Sequence, residues 1–511
     1  DLLWNGGIGT YVKAASETHA DVGDRANNAI RVNGGELRCR VVGEGGNLGF
    51  TQAGRVEFAR AGGRLNTDAV DNSGGVDMSD HEVNLKILLS QIVSRGDLTE
   101  EARNELLEAM TDEVAQLVLA DNDAHGRQLS CDEIRSRRNL FQFGRAIAFI
   151  EREFGRDRST LDLPSSEEIE RRIAAGQGLT RPELAVLSSW VKMYVKRALL
   201  KASLDDIPGA DELLRTYFPA RIQATYPDDI TNHMLAKEIV ITVAVTRMFA
   251  DAGAAYFPTM IEGVGATALE ITQAYLKAQR VARVEEARVE LQPLRNDGSM
   301  GATYDLWVEL DNGTREVATF WLSSAGRIPD DVVLEQMREA APRVHALQTA
   351  DVAAADRAAT ERMAAMGISR EVAAVVLEAR SLNIGLAAWA ESNRSGLSLE
   401  TIAARQLAVG RASRLQSVLD DLATRPASGR WDPLALRILH TRFQALLRAL
   451  VGKCPTEGME GTVEELEAAL ASGHIRAVRR QVDNVLGAEK SPSVSTLMVL
   501  EERVSGAVTR L

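Results

Sequence analysis

The segment that decides the fold is VVGEGGNLG at residues 41–49. Val41 and Val42 end an apolar run from residue 37 that predicts a strand, and the glycines after them predict a tight turn. Asn47 is then left at the carboxyl edge of the strand, where ligands bind in open α/β sheets. Its amide could donate to and accept from a carboxamide. A left-handed turn that tolerates Asn and Gly explains the same residues.

A second polar segment, NTDAVDNSGGVDMSDHE, occupies residues 66–82. Ser79 and Glu82 have the spacing of a capping box that opens an apolar helix at Val83. Because the first amides of a helix are unpaired, this position could also receive a carboxylate. His81 could act as a base, although a lone histidine beside a cap is more often a surface or packing residue.

A third glycine-rich segment, NGGIGT at residues 5–10, follows the apolar residues 2–4. Its bare amides could hold an anion or a ribose. It lacks the GxGxxG pattern that opens a helix in dinucleotide-binding domains, so a strand-end turn explains it as well.

The chain divides by pattern into four parts. Residues 1–95 alternate short apolar runs with glycine turns, which is typical of an α/β domain. Residues 96–280 are helical by apolar spacing, with a capping box at Thr180 and Glu183 and a further helix over 234–250. Residues 326–511 return to Ala-, Leu- and Arg-rich helices.

Between those helical parts, residues 281–325 predict a small β segment. Strands are expected at 284–291, 303–310 and 315–322. The intervening sequences, NDG at 296–298 and DNG at 311–313, are typical of hairpin turns.

Composition narrows the class of protein. The 511 residues carry a net charge of −13, which argues against a nucleic-acid-binding surface because such a surface needs clustered Lys and Arg. No apolar run approaches the length of a membrane span, so no membrane partner is expected. The chain opens at Asp1 without a charged and apolar leader, and no signal peptide is therefore expected within it.

The cysteines and histidines give no sign of a metal site. Cys39, Cys131 and Cys454 are far apart and lack CxxC spacing. They predict reduced thiols in a cytoplasmic protein. The seven histidines show no HExxH or similar ligand spacing, so no metal is expected.

Five segments carry a resemblance to a known family. NGGIGTYVKA, VVGEGGNLGFTQAGR and NTDAVDNSGGVDMSDHEVNLK resemble the end of the cofactor domain of the large NAD-dependent glutamate dehydrogenases. The last two are also similar to the EGANxPTT and NAGGVxVSxxE patterns of the hexameric glutamate dehydrogenases. GLTRPELAVL at 178–187, and YFP at 217–219 followed by YP at 226–227, resemble the helical C-terminal region of the large family only.

The resemblance implies a cofactor side of the site. Asn47 matches the asparagine that faces the nicotinamide of NAD, with Gly45 and Gly46 beside it in the cofactor loop. Asn72 matches the asparagine at the meeting point of nicotinamide and substrate. Gly46 replaces the Ala of the pattern, and LGFT at 48–51 replaces its PTT stretch.

It also implies a substrate side. Asn72 again contributes, and Gly75 allows close backbone approach. Val76 matches the position that packs on the methylenes of glutamate, and Ser79 matches the residue that binds its side-chain carboxylate. Ser73 replaces an Ala of the pattern, which is expected to change little.

The fold that follows is an α/β remnant of a Rossmann-type cofactor domain, then a mostly α-helical C-terminal region with a small β insertion. The parent reaction is expected to convert L-glutamate, NAD⁺ and water into 2-oxoglutarate, ammonium and NADH in a homo-oligomer. The family's catalytic lysines, catalytic aspartate and phosphate loop are expected upstream of Asp1. No catalytic residue is therefore assigned here, and the chain alone is expected to be inactive.

Two alternatives remain open from the sequence. One is a related dehydrogenase acting on an apolar amino acid, against which Ser79 argues because such an enzyme needs no carboxylate acceptor there. The other is a non-catalytic helical module that regulates or assembles, which describes residues 96–511 taken alone. Location of those residues at subunit contacts would favour it.

Overall fold

A computed structural model describes residues 1–292, 300–323, 328–347, 350–425, 432–454, 461–470, 474–487 and 492–510. The chain forms two compact units, Asp1–Gln273 and Ala274–Leu511. The divisions expected from sequence at residues 95, 280 and 325 stay predictions.

The described elements are mostly helices. The strands are β1 (Leu2–Asn5), β2 (Val12–Lys13), β3 (Val32–Asn33) and β4 (Val41–Glu44). The helices up to residue 281 are α1 (His19–Val22), α2 (Gln52–Arg60), α3 (Asp68–Asp71), α4 (Ser73–Ser94), α5 (Glu100–Ala109), α6 (Thr111–Arg138), α7 (Leu140–Phe154), α8 (Ser166–Ala174), α9 (Arg181–Leu199), α10 (Ala210–Tyr217), α11 (Ala220–Thr225), α12 (Pro227–Thr231), α13 (Ala236–Ala252), α14 (Tyr256–Val264) and α15 (Ala268–Val281). Those after it are α16 (Val284–Leu291), α17 (Met300–Ser323), α18 (Asp331–Ala346), α19 (Ala350–Ala365), α20 (Arg370–Glu378), α21 (Leu382–Ser395), α22 (Leu399–Ala412), α23 (Leu415–Thr424), α24 (Asp432–Gly452), α25 (Val463–Leu470), α26 (His474–Leu486) and α27 (Val494–Thr509).

The strands form two parallel pairs. β1 pairs with β4, with Leu2 opposite Val41, and β2 pairs with β3, with Val12 opposite Val32. Residues 1–95 therefore hold short parallel strands and not a complete sheet of six or more, as expected for a partial α/β domain. The strand of the deciding segment begins at Val41 and not at residue 37. Trp4 on β1 is 63% exposed.

Helix α2 covers this strand layer. Its N-cap Thr51 accepts a hydrogen bond from the backbone of Gly54, which fixes where the helix begins. Phe58 of α2 packs with Val12, Val42 and other apolar side chains in a small core. Because Val42 before the turn and Phe50 after it both belong to this core, the core positions the turn that follows β4.

The helix that carries the substrate-side residues begins earlier than the sequence predicted. α4 starts at Ser73, directly after α3. Ser79 lies inside the helix, where its Oγ donates to the carbonyl of Val76 at 2.8 Å, so the capping box predicted for Ser79 and Glu82 is wrong. The glycines at 74 and 75 occupy the first helical turn, where few intrahelical bonds depend on them.

The predicted helices downstream are confirmed. α5, α6 and α9 cover the apolar spacings noted in the sequence, and α13 covers the helix expected over 234–250 from Ala236 onward. At the start of α9 the capping box is formed, because the Glu183 carboxylate accepts from the Thr180 amide at 2.7 Å.

The predicted β segment at 281–325 is wrong. Residues 284–291 are α16, and the strands expected at 303–310 and 315–322 both fall inside α17. The DNG sequence marks helix packing, not a hairpin: a Cβ on Gly313 would lie 2.5 Å from the carbonyl oxygen of Ala379. The NDG sequence at 296–298 lies outside the described residues.

The second unit is helical throughout its described residues. Apolar side chains from α22 to α27 form a continuous core, which includes residues such as Phe443, Val478 and Leu500. Among the described helices of the whole chain, none alone has the length and apolar character of a membrane span. One pair does by length and composition together, α13 with α14, and it is bent by 89°.

Candidate functional site

A cavity of about 1010 Å³ in the first unit brings most of the predicted site residues together. Its walls come from the turn after β4 and from helices that include α3, α4, α6, α9 and α13. The predicted residues that line it are Asn47, Asn72, Val76 and Ser79. Those that lie beside them, outside its lining, are Gly45, Gly46 and Gly75.

Two amide side chains meet at this cavity. Asn72 Nδ2 donates to Asn47 Oδ1 at 3.0 Å. Asn47 is exposed on the turn after β4, and half-buried Asn72 follows α3. The remaining NH₂ of Asn47 and carbonyl of Asn72 together have the polarity that a carboxamide ligand requires.

A buried ion pair fixes the turn that carries Asn47. Glu44 is fully buried, and Arg55 donates to its two carboxylate oxygens at 2.7 and 2.9 Å. Glu44 Oε1 also accepts from the backbone amide of Phe50 at 3.2 Å. Because these bonds join both ends of the turn to α2, they restrict the position of its backbone.

Helix α3 fixes the same turn from a second direction. The Asp71 carboxylate accepts from the Glu44 amide at 2.9 Å, and Asp68 accepts from the Leu48 amide at 2.7 Å. Asp68 also contacts Arg55 at 3.1 Å. Leu48 has a left-handed backbone with φ of 59°, which is unfavourable for a side chain with a Cβ, and the bond to Asp68 offsets part of that cost.

The departure from the EGAN pattern has a steric reason. The Gly46 amide donates to the carbonyl of Asn5 at 2.8 Å, so the two glycine-rich segments pack together. A Cβ on Gly46 would lie 2.4 Å from the carbonyl oxygen of Gly7. Gly45 lies under the Trp4 ring, which would be 2.6 Å from a Cβ there. The NGGIGT segment therefore acts here as the packing partner of the turn.

The substrate-side residues lie in the first turns of α4. Val76 is 66% exposed, and Ser79 and Gly75 are also exposed. Because Ser79 lies inside the helix and is not a cap, there are no unpaired helix-end amides beside it to bind a carboxylate. Its hydroxyl donates a hydrogen bond to the Val76 carbonyl at 2.8 Å. Rotation of the hydroxyl would redirect that bond to a carboxylate in the cavity.

Helix α9 gives the cavity a basic wall that the sequence reading missed. Lys192, Lys196 and Arg197 all line it. Burial, and then Lys196, lower the pKa of Lys192 to about 8, and burial lowers that of Lys196. The signal was the spacing of four between the two lysines, which places them on one helix face. An anionic ligand would be stabilised beside them.

An acidic group lies on another part of the wall. Asp77 and His81 of α4 converge with Asp121 of α6, and one ligand atom from each lies within 4.8 Å of the others. The sequence predicted no metal site because local histidine spacing was absent. Local spacing could not reveal this group, since its members come from two helices.

His81 itself is a buried packing residue. It is 2% exposed and stacks on Tyr217, with ring centroids 4.2 Å apart and planes at 12°. Burial lowers its pKa to about 4, so the ring is neutral near pH 7. This agrees with the packing alternative considered for the sequence.

Comparison with known families identifies the class of protein. Residues 1–132 match the model of the bacterial NAD-glutamate dehydrogenase catalytic domain. Residues 176–505 match the glutamate dehydrogenase C-terminal model. Because the C-terminal model covers more than half of the chain, the chain belongs to the glutamate dehydrogenase family.

Three curated relatives carry the same name, NAD-specific glutamate dehydrogenase. The protein of Halomonas elongata is 42% identical over 322 residues, which are 63% of this chain and 20% of the relative. That of Pseudomonas aeruginosa is 48% identical over 276 residues, 54% of this chain and 17% of the relative. That of Mycobacterium tuberculosis is 46% identical over 281 residues, 55% of this chain and 17% of the relative. The chain thus spans about a fifth of the length of the relatives it matches.

Proposed function

We propose that this chain is part of an NAD-dependent glutamate dehydrogenase that converts L-glutamate, NAD⁺ and water into 2-oxoglutarate, ammonium and NADH. The observation that carries the proposal is the pairing of Asn47 with Asn72 at 3.0 Å on the wall of a cavity that Val76 and Ser79 also line. The names of the three relatives support the same reaction.

The cofactor side is formed by the turn after β4. NAD, when bound, accepts the hydride. The residues of this chain hold and orient the cofactor. Asn47 presents an exposed amide to the cavity, which fits the carboxamide of a nicotinamide. Gly45 and Gly46 place backbone beside that amide, and the ion pair of Glu44 with Arg55 holds the turn before any ligand arrives.

The substrate side is formed by the first turns of α4. Val76 offers exposed apolar surface to the methylenes of glutamate, and the Ser79 hydroxyl donates to its side-chain carboxylate. Gly75 adds no side chain beside them. Lys192 and Lys196 make the α9 wall positive, which favours a dicarboxylic substrate over an apolar one.

The wider architecture follows from the same resemblance. The parallel pairing of β1 with β4, and the ligand-facing turn after β4, support a remnant of a Rossmann-type domain. The catalytic lysines are expected in the part of the parent that this chain does not include, so the chain alone should be inactive. We place the parent in the cytoplasm as a homo-oligomer with no nucleic-acid or membrane partner.

A role in assembly remains a candidate for the second unit. Its described residues are helical throughout, and the cavity described above draws its lining from residues 47–246 alone. Loss of oligomer without loss of ligand binding, after substitutions confined to that unit, would assign it that role.

The test is made in the full-length enzyme with Asn47→Ala. Loss of one hydrogen-bonding group costs roughly 0.5–1.5 kcal/mol, so the Kd for NAD should rise about 2- to 13-fold, with a smaller effect on glutamate. Asn104→Ala, at an exposed position of α5, is the control and should change neither. Unchanged NAD affinity in Asn47→Ala would remove this residue from the site.

A further inference from the structure

Three potential metal ligands converge on the cavity wall. Asp77 and His81 lie one helical turn apart on α4, and Asp121 lies on α6. Their ligand atoms lie within 4.8 Å of one another, and His81 Nε2 is 3.9 Å from Asp77 Oδ1. Asp77 and Asp121 also line the cavity, so an ion bound between them would be reached from it.

His81 supplies the independent sign of a ligand. It is 2% exposed, yet neither of its ring nitrogens has a hydrogen-bond partner within the described part of the chain. Asp77 Oδ2 is buried and equally without a hydrogen bond there. Buried polar atoms without partners are destabilising, and such cases in a folded protein call for an ion, a water or a functional role. A metal ion would satisfy both residues at once.

The orientation of the imidazole is fixed before any ion binds. The ring of His81 stacks on Tyr217 at 4.2 Å between centroids. The Tyr217 hydroxyl in turn accepts from Asn84 Nδ2 at 2.9 Å. With one face held against Tyr217, the ring presents its nitrogen edge to the carboxylate of Asp77, and His81 Nε2 is 3.9 Å from Asp77 Oδ1. Preorganised ligands of this kind bind metal with less loss of side-chain entropy.

The charges favour a cation on balance. Asp77 lies beside a second carboxylate, Asp121, and its Oδ2 has no hydrogen bond among the described residues, so its negative charge is poorly compensated. Neither ring nitrogen of His81 is hydrogen-bonded there, so the lone pair of a neutral imidazole can coordinate an ion.

Cationic side chains nearby reduce this preference without cancelling it. Arg247 and Lys192 lie close enough to Asp121 to interact with its charge. The affinity for an ion is therefore expected to be moderate.

We propose that Asp77, His81 and Asp121 bind one divalent transition-metal ion of the Zn²⁺ type. One imidazole nitrogen and carboxylate oxygens suit such an ion, with bonds of roughly 2.0–2.2 Å. Ligand atoms on one ion then lie about 3–4.4 Å apart, so small side-chain rotations close the cluster. Three protein ligands leave a coordination position facing the cavity for water or a carboxylate. The proposal concerns binding alone and does not depend on the proposed reaction.

The test is titration of the chelator-treated chain with Zn²⁺, followed by calorimetry, and with Co²⁺, followed by visible absorption. One equivalent should bind. Asp77→Asn and His81→Gln each remove a ligand with little change of side-chain volume. Loss of a residue that only supports a metal ligand already weakens binding by about tenfold or more. Each of these two variants should therefore weaken metal binding by more than about tenfold. Glu82→Gln, an exposed carboxylate on the same helix, and His125→Gln in the same cavity are the matched controls and should bind as the unaltered chain does.

Failure of the unaltered chain to bind one equivalent would overturn the proposal. So would binding that His81→Gln leaves unchanged, or that the controls lose equally. If the cluster variants do not fold by circular dichroism, Cu²⁺ bound to the unaltered chain decides: its electron paramagnetic resonance should show coupling to one imidazole nitrogen, and absence of that coupling refutes the site.

Discussion

Replacing Arg55 by Met should release the turn that carries Asn47. Arg55 is 5% exposed and Glu44 is 0% exposed, so the variant leaves a buried carboxylate whose remaining partner is the amide of Phe50 at 3.2 Å. Removing one member of a buried ion pair costs about 3–5 kcal/mol, because the other charge stays uncompensated. We expect a local loss of stability of this size.

Replacing the other member of the ion pair, Glu44, should cost less stability. In Glu44→Gln, Arg55 keeps Asp68 as a partner at 3.1 Å, and the new amide still offers an acceptor oxygen. Burial raises the pKa of Glu44 although Arg55 opposes it, so a neutral side chain is tolerated there. Loss of a charged hydrogen bond is then the main term, about 1.5–3 kcal/mol.

Arg60→Met is the matched control. Arg60 lies on the same helix and pairs with Glu168 at 3.1 Å, but its side chain is 52% exposed. Exposed pairs of this kind contribute about 0.2–1 kcal/mol. The three variants should therefore rank Arg55→Met, Glu44→Gln and Arg60→Met in decreasing order of effect.

Hydrogen exchange followed by mass spectrometry measures the local cost. A global unfolding curve is poorly suited, because the chain has two compact units and need not unfold in one step. A cost of 3–5 kcal/mol corresponds to roughly 150- to 5,000-fold faster exchange in peptides covering residues 41–60. Exchange in Arg55→Met no faster than in Arg60→Met would refute the reasoning.

Three further predictions rest on single positions. Gly46→Ala should weaken NAD binding in the full-length enzyme, because its Cβ would lie 2.4 Å from a carbonyl oxygen, whereas Gly126→Ala has open space and should not; equal affinities would contradict this. Gly313→Ala should cost about 1–3 kcal/mol of stability by overpacking, and Gly301→Ala on the same helix should cost close to nothing. Equal unfolding temperatures of the two variants would contradict the close packing of Gly313 against Ala379. Folding lowers the pKa of Lys192 from 10.5 to about 8, so between these two pH values the unfolded state binds more protons than the folded state. The free energy of unfolding should therefore rise with pH across this range, by up to about 3 kcal/mol. The urea transition of the unit that contains Lys192, Asp1–Gln273, followed between pH 8 and 10.5, should show a smaller rise in Lys192→Met, and an identical rise would exclude this lysine as its source.

The turn that carries Asn47 could be predicted because its residues are local in sequence. The strand, the glycine turn and Asn47 are consecutive, and the second asparagine, Asn72, lies in a similarly compact motif. The structure joins the two by a hydrogen bond. The role of Gly46 could not be predicted, since it depends on the carbonyl of Gly7, which lies far away in sequence.

Two predictions failed for a related reason. The DNG sequence at 311–313 predicted a hairpin, but Gly313 is required by the close approach of Ala379, which only the tertiary structure reveals. Ser79 had the spacing of a cap, but helix α4 could extend back to Ser73 because α3 supplies the preceding turn.

The walls of the cavity were the least predictable part. Asp121 and Lys192 come from α6 and α9 and carry no local motif. Helical periodicity predicted that these helices exist, but which polar residues face a shared cavity depends on how the helices cross.

We propose that α4 receives the side-chain carboxylate of glutamate, and Ser79→Asp in the full-length enzyme tests this most directly. Ser79 is exposed within the helix, so aspartate should keep the fold. Its negative charge would face the substrate carboxylate in a cavity where like charges repel strongly.

Ser90→Asp, exposed on the same helix outside the cavity, adds the same charge as a control. The decisive measurement is kcat/KM for glutamate alongside the Kd for NAD. We predict that Ser79→Asp loses glutamate turnover while NAD binding and the Ser90→Asp control stay intact. Normal glutamate oxidation by Ser79→Asp would contradict the assignment of this cavity to glutamate.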